Sequence, residues 1–201
     1  SDVNSSQVSC RIGTNNLQAG IKAAEAALAT DDEELYIGIV NYDVNSANGQ
    51  QRELGFRQTV EQDPRVKNIT TINVLSTTED ARAGAKEMLL SDSRINVVVT
   101  FNEWTSLGVG WAIRDLNRAD RIQVVAFDSN VVSVGMLETG EVDALIVQNP
   151  YAMGYLGVET AANLMNGQTG GPSVVDTATT IVTRENMYEP ESQKILFSFE
   201  E

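Results

Sequence analysis

Short apolar runs alternate with helix-like stretches along this chain, and three of the later runs each end on one isolated polar residue. They read Val97-Val98-Val99-Thr100-Phe101-Asn102, Val124-Val125-Ala126-Phe127-Asp128 and Ala144-Leu145-Ile146-Val147-Gln148. An earlier run, Leu35-Tyr36-Ile37-Gly38-Ile39-Val40, is apolar throughout, as a strand buried on both faces requires. Repeated strand–helix units predict an α/β fold: a doubly wound parallel sheet with helices on both faces. Right-handed crossovers then carry the strands' carboxyl ends to one edge, where ligands bind in open α/β sheets.

The helical stretches can be placed between the runs. Asn15 or Asn16 can cap a helix whose expected apolar face is Leu17, Ile21, Ala24 and Leu28. Asp31–Glu34 is expected as a solvated turn. Arg52, Phe56 and Val60 lie one turn apart on a second helix that stops near Asp63-Pro64. Ile69 to Leu75 reads as a strand, and Glu79 to Leu90 as a helix with Ala81, Ala85 and Met88/Leu89 inward. A helix with Trp104, Leu107, Trp111 and Leu116 follows. A shorter one through Val134 and Leu137 stops at Thr139-Gly140. The next helix carries Met153, Leu156, Ala161 and Leu164 and ends at Asn166-Gly167. Thr179 to Thr183 reads as a strand, and Ile195-Leu196-Phe197 is the last apolar stretch.

Composition removes several kinds of function. With 28 acidic against 14 basic residues, the net charge of −14 opposes a nucleic-acid surface, and no nucleic-acid partner is expected. The chain has no His, so His-based zinc sites and His acid–base catalysis are excluded. Cys10 is the single cysteine and is expected as a buried or half-buried small residue. There is no Gly-x-Gly-x-x-Gly, no phosphate-binding loop with Lys and no nucleophile elbow. No metal, cofactor or catalytic residue is expected. An amide, a carboxylate and a second amide on one rim suit a small polyhydroxylated ligand better than a reaction. Asp128 could instead be a helix N-cap and Asn102 a turn residue, whereas Gln148 at the end of an apolar strand is hardest to explain otherwise.

Five short motifs then occur in a telling order: Asn15-Asn16 after a strand, Arg52-x-x-Gly55-Phe56, Phe101-Asn102-Glu103, Ala126-Phe127-Asp128, and Gln148-Asn149-Pro150-Tyr151-x-Met153-Gly154. Together they resemble the type I periplasmic sugar-binding proteins, the ribose- and galactose-binding class of ABC transporter receptors. The resemblance implies two lobes joined by three chain crossings, with several strand–helix units lying ahead of the position matching Ser1. Residues 15–148 with 184–201 would form a complete C-terminal lobe, and residues 1–14 with 149–183 part of an N-terminal one. In that arrangement 149–183 should expose apolar faces, and a dimer through the incomplete lobe, swapping or disorder there is expected, with weak sugar affinity.

The resemblance also implies site residues. Arg52 matches an arginine that forks onto sugar hydroxyls; Asn102, Asp128 and Gln148 match the polar strand ends. The family's ring-stacking aromatic falls on Thr77, a departure that leaves Trp104 and Tyr42 as replacements. Implied partners are a small-molecule sugar or polyol and a membrane permease or sensor kinase. The implied location is periplasmic or extracellular, at the cell envelope, with the export signal outside these residues. A lactose-repressor-like effector domain shares the fold and is the alternative; a basic helix-turn-helix would distinguish it.

Overall fold

Side chains in the central strands alternate between two cores, and that alternation fixes the layers. The computed structural model describes residues 5–168 and 171–197. Its central sheet contains β2 (Leu35–Asn41), β3 (Val66–Asn73), β4 (Val97–Thr100), β5 (Gln123–Phe127), β6 (Ala144–Val147) and β8 (Thr180–Thr183). The spatial order is β3-β2-β4-β5-β6-β8. On one face Ile37, Ile39, Val97, Val99, Val125, Phe127 and Ile146 are buried together. On the other Val40, Val98, Val124, Ala126, Leu145 and Val147 are buried. A period of two with apolar residues in both phases is what a strand covered on both sides demands.

The helices α1 (Asn16–Leu28) and α2 (Ala47–Val60) cover the first face. The other is covered by α3 (Thr78–Ser91), α4 (Glu103–Leu116), α5 (Val131–Thr139) and α7 (Pro190–Leu196). The first five strands in spatial order are parallel, as expected, whereas β8 runs antiparallel to β6. Thr179–Thr183, which the resemblance places in the partial lobe, contributes its strand to the large sheet. A separate two-stranded parallel sheet pairs β1 (Arg11–Thr14) with β7 (Val174–Thr177).

Most expected elements are present, with informative shifts of face. The turn at Asp31–Glu34 and the inward set Ala81, Ala85, Met88 and Leu89 are as expected. Gly140 closes α5 in the left-handed region at φ 90°. On α1, however, Ala19, Gly20, Ala23, Ala24, Ala26 and Ala27 are buried, while Leu17, Ile21 and Leu28 are only half-buried. The cause is a close helix crossing. A Cβ on Gly20 would lie 2.0 Å from the Arg52 carbonyl oxygen, and one on Gly55 would lie 2.1 Å from that of Leu17. Only small residues admit backbones this near, so the alanine face turns in. On α4, Trp104 is exposed and Trp111 half-buried; the fully covered face is Thr105, Ser106, Gly108, Val109, Ala112 and Ile113.

The helix α6 (Pro150–Met165) behaves differently: none of its residues is buried. Tyr151, Tyr155, Val158 and Met165 are exposed, and the two tyrosine rings stack at 6.5 Å. An amphipathic helix in a finished fold buries a stripe. This one has only a partial cover, which agrees with the expectation of apolar faces within 149–183. Cys10 is half-buried, as expected.

The α1–α2 contact generates a prediction. Gly55→Ala should destabilise the protein by about 1–3 kcal/mol, because the added methyl forces the two helices apart. Gly157→Ala on α6, where a Cβ meets nothing within 4 Å, should stabilise by about 0.5–1 kcal/mol through helix propensity. Urea unfolding of both variants checks this, and equal effects would contradict the close crossing.

Candidate functional site

The chain order reverses between β2 and β4, which lie side by side while β3 and β5 flank them. A crevice opens outside the carboxyl ends of strands at such a point. Asn102 follows β4, Asp128 follows β5, Gln148 follows β6, and Arg52 reaches in from α2.

Arg52 is the best-held member. It is 3% exposed. Its Nε donates to Asn16 Oδ1 at 2.9 Å, its Nη1 to the Phe101 carbonyl at 2.6 Å, and its Nη2 to Gln148 Oε1 at 2.9 Å. The guanidinium also lies over the Phe127 ring, 4.7 Å from its centroid. Asn15 takes the N-cap of α1 by accepting from the Gln18 amide, and this leaves the Asn16 side chain available to Arg52. The sequence left the cap open between these two residues.

Gln148 links Arg52 to Asp128. Its Oε1 accepts from Arg52, and its Nε2 donates to Asp128 Oδ1. The orientation of the amide follows from chemistry, since a guanidinium only donates and an ionised carboxylate only accepts. Asp128 stands in the left-handed region at φ 67°, which Asp tolerates better than most residues and which ends β5 abruptly. Burial pushes its carboxyl up from the ordinary value. The Gln148 hydrogen bond and the Arg52 charge oppose this, and the nearby Glu103 charge adds to it. Arg52 is pushed down by burial, against the pull of Asp128 and Tyr42.

Asn102 reaches the same rim but spends its side chain locally. Its Oδ1 accepts from the Thr105 amide at 2.9 Å and the Thr105 hydroxyl at 2.7 Å, and its Nδ2 donates to Ser76 Oγ at 2.7 Å. It is the N-cap of α4. Asn130 caps α5 and donates to Glu103 Oε1 at 2.6 Å, so Glu103 is fixed beside Asp128. Thr77, where the resemblance expects an aromatic, is the N-cap of α3.

The two aromatic candidates differ. Tyr42 is buried at the end of β2, its ring against Gly49. Burial raises its phenol pKa, the Arg52 charge and Ser46 pull the other way, and its hydroxyl has no hydrogen bond of good geometry. Trp104 is 50% exposed on the first turn of α4, outside the Arg52–Gln148–Asp128 group.

Two contributors escaped the sequence reading. Ser106 Oγ accepts the Phe127 amide at 2.9 Å and sits 2.7 Å from both Thr100 Oγ1 and the Asn102 carbonyl. It ties the ends of β4 and β5 to α4. Thr14 is the second, and its hydroxyl donates to Gln148 Oε1 at 2.7 Å. A lone Ser or Thr carries no pattern that would single it out.

A cavity of about 280 Å³ opens among Glu103, Asp128, Ser129, Val147, Gln148, Pro150 and Met153. A larger hollow of about 670 Å³ lies elsewhere, among Asn96, Arg121, Gln123, Asp143 and Arg184, away from the strands' carboxyl ends. Among the described residues no group of His, Cys, Asp or Glu could hold a metal ion. No described helix is long and apolar enough to cross a membrane.

Comparison with known proteins now bears on this arrangement. The periplasmic binding protein domain matches residues 1–169. The chain belongs to the periplasmic binding protein family. A D-ribose/D-allose-binding protein of Pseudomonas aeruginosa is 28% identical over 150 residues, which are 73% of this chain and 47% of that protein. The chain thus spans about half the length of that relative. A carbohydrate transporter solute binding protein from Agrobacterium radiobacter, solved with D-arabinose, superimposes with a TM-score of 0.91 at 28% identity. That superposition covers 96% of this chain and 68% of the other. A glucose-galactose binding protein from Geobacillus stearothermophilus gives 0.86 at 25% identity, covering 94% and 67%. The doubly wound periplasmic-binding-protein fold expected from the sequence is the fold observed.

The raised Asp128 carboxyl has a consequence for pH. A folded-state pKa above the unfolded value means that the native state binds this proton more tightly. Its contribution to stability is therefore full below the unfolded value, about 3.9, and is lost as pH rises through the folded value. Carboxyl NMR should show Asp128 titrating above about 3.9. A midpoint at or below that value would contradict the burial described.

Proposed function

We propose that this chain is part of a sugar-binding solute receptor that closes around a monosaccharide-like ligand. The observation that carries the reading is the joined group Arg52–Gln148–Asp128 at the strands' carboxyl ends. Vicinal hydroxyls each donate and accept. A guanidinium donates, a carboxylate accepts and an amide does both, so one small group can satisfy a polyol without any reaction. Asn102 offers its remaining amide N–H at the rim. Tyr42 brings a buried hydroxyl and an aromatic ring, and Trp104 is an exposed ring at the edge. The role is binding, not catalysis. Relatives that are sugar receptors of transport systems favour this reading over a lactose-repressor-like effector domain.

The wider arrangement extends the same proposal. The six-stranded sheet with its helices is one lobe, with β8 now included; β1, β7 and α6 are the described portion of the other. Closure of two lobes on a ligand is a hinge motion of known type. The receptor works in the periplasm or outside the cell and hands its sugar to an ABC permease or reports it to a sensor kinase. The exposed face of α6, with Tyr151, Tyr155 and Val158, makes the isolated 201-residue chain self-associate as a dimer.

Titration calorimetry of the natural full-length protein against D-ribose, D-allose, D-arabinose, D-galactose and D-glucose tests the central reading. At least one sugar should bind, and Gln148→Leu should weaken it about tenfold or more, because it leaves a charged partner unmet. Silence across the panel would remove the proposal. Sedimentation of the 201-residue chain alone should show a dimer. A monodisperse monomer would refute the part assigned to α6.

A further inference from the structure

Gln148 has a polar neighbour that belongs to the other sheet. Thr14 ends β1 in the two-stranded sheet, whereas Gln148 follows β6 in the six-stranded one. The Thr14 side chain is buried within a residue 5% exposed, and its hydroxyl donates to Gln148 Oε1 at 2.7 Å. Arg52 Nη2 donates to the same oxygen. An amide oxygen offers two lone pairs, and both are now occupied. The amide is thereby turned with Nε2 toward Asp128.

Thr14 is itself well anchored. Its strand pairs in register with β7, Thr14 opposite Thr177. The next residue, Asn15, donates through Nδ2 to Asp176 Oδ2 at 3.0 Å, and Arg11 reaches Asp176 at 3.2 Å and the Thr14 carbonyl at 3.3 Å. From α1, Lys22 donates to the Thr179 carbonyl, between β7 and β8. The segments that pass between the two sheets are thus bonded to one another, and one bond of that junction ends on a proposed ligand contact.

We infer that Thr14 is a positioning residue of the sugar site: its hydroxyl holds the Gln148 amide in its binding orientation and joins that site to the junction of the two sheets. The inference rests on the sugar-site reading above. Arg52 and Asp128 also orient Gln148, but a sugar competes for both of them. Thr14 is not among the residues that line the cavity beside Gln148, so its bond survives when the other two turn to the ligand.

The test is a set of dissociation constants on the natural full-length protein, measured with whichever sugar of the panel binds the unmodified protein. Thr14→Val keeps the shape and removes the donor; it should weaken binding about fivefold or more, the worth of one buried hydrogen bond. Thr14→Ser restores the hydroxyl and should stay within about twofold of the unmodified protein. In a Gln148→Leu background, Thr14→Val should add no further loss. Thr14→Ala serves the same comparison if the valine variant does not fold. Unchanged affinity in Thr14→Val, equal losses in the valine and serine variants, or a loss that adds fully to that of Gln148→Leu would each overturn the inference. Those outcomes leave the sugar reading standing, because the unmodified protein still binds. Absence of binding by the unmodified protein removes both.

Discussion

The guanidinium of Arg52 lies almost entirely out of water, and the protein must meet its charge and its hydrogen bonds. Leaving either unmet would cost several kcal/mol, by the usual penalty for a buried unpaired ion. The solution draws on three parts of the fold at once: a side chain from the start of α1, a backbone carbonyl beyond β4, and an amide beyond β6. The Phe127 ring closes the remaining side. None of these groups lies near Arg52 in sequence. The site exists only when the sheet order and the α1–α2 crossing are both correct, so fold and site stand or fall together.

The glycine contact between α1 and α2 is the mechanical side of the same constraint. Arg52 contributes the very carbonyl that approaches Gly20. The helix that carries the charged group is seated by its own backbone against α1, and the side chain is delivered to the strand ends from that seat. Beyond it the polar knot around Ser106 fixes the ends of β4 and β5, and the cap at Asn130 fixes Glu103. The residues of the rim are thus bonded to one another within the protein. The contrast with α6 is sharp. There, Tyr151, Tyr155 and Val158 stand in solvent, and no described partner covers them.

How much of this the residues disclosed depended on how local the cause was. The strands at Val97, Val124 and Ala144 were legible because strand side chains alternate and both phases are apolar, a pattern complete within each run. The polar residue closing each run marked the rim for the same reason. The one-turn spacing of Arg52, Phe56 and Val60 placed them on one face, but only tertiary contacts show that a charged residue on that face is buried. The inward face of α1 was misjudged because larger side chains were given the core. The close crossing reversed the preference in favour of alanine and glycine. Thr179–Thr183 was legible as a strand, but its antiparallel pairing with β6 is a contact between distant segments, and sequence alternation carries no partner information. Asn102 was found as a rim residue, yet its capping of α4 became visible only with the Thr105 and Ser76 bonds in place.

The most direct measurement is a crystal structure of the full-length protein with the sugar that binds it. The account predicts the sugar ring in the crevice at the carboxyl ends of β4, β5 and β6, with its hydroxyls bonded to Arg52, Asp128 and Gln148 and with Thr14 still donating to Gln148. A sugar seated instead in the hollow lined by Gln123, Asp143 and Arg184, or one that leaves the Arg52–Gln148–Asp128 group untouched, would contradict it.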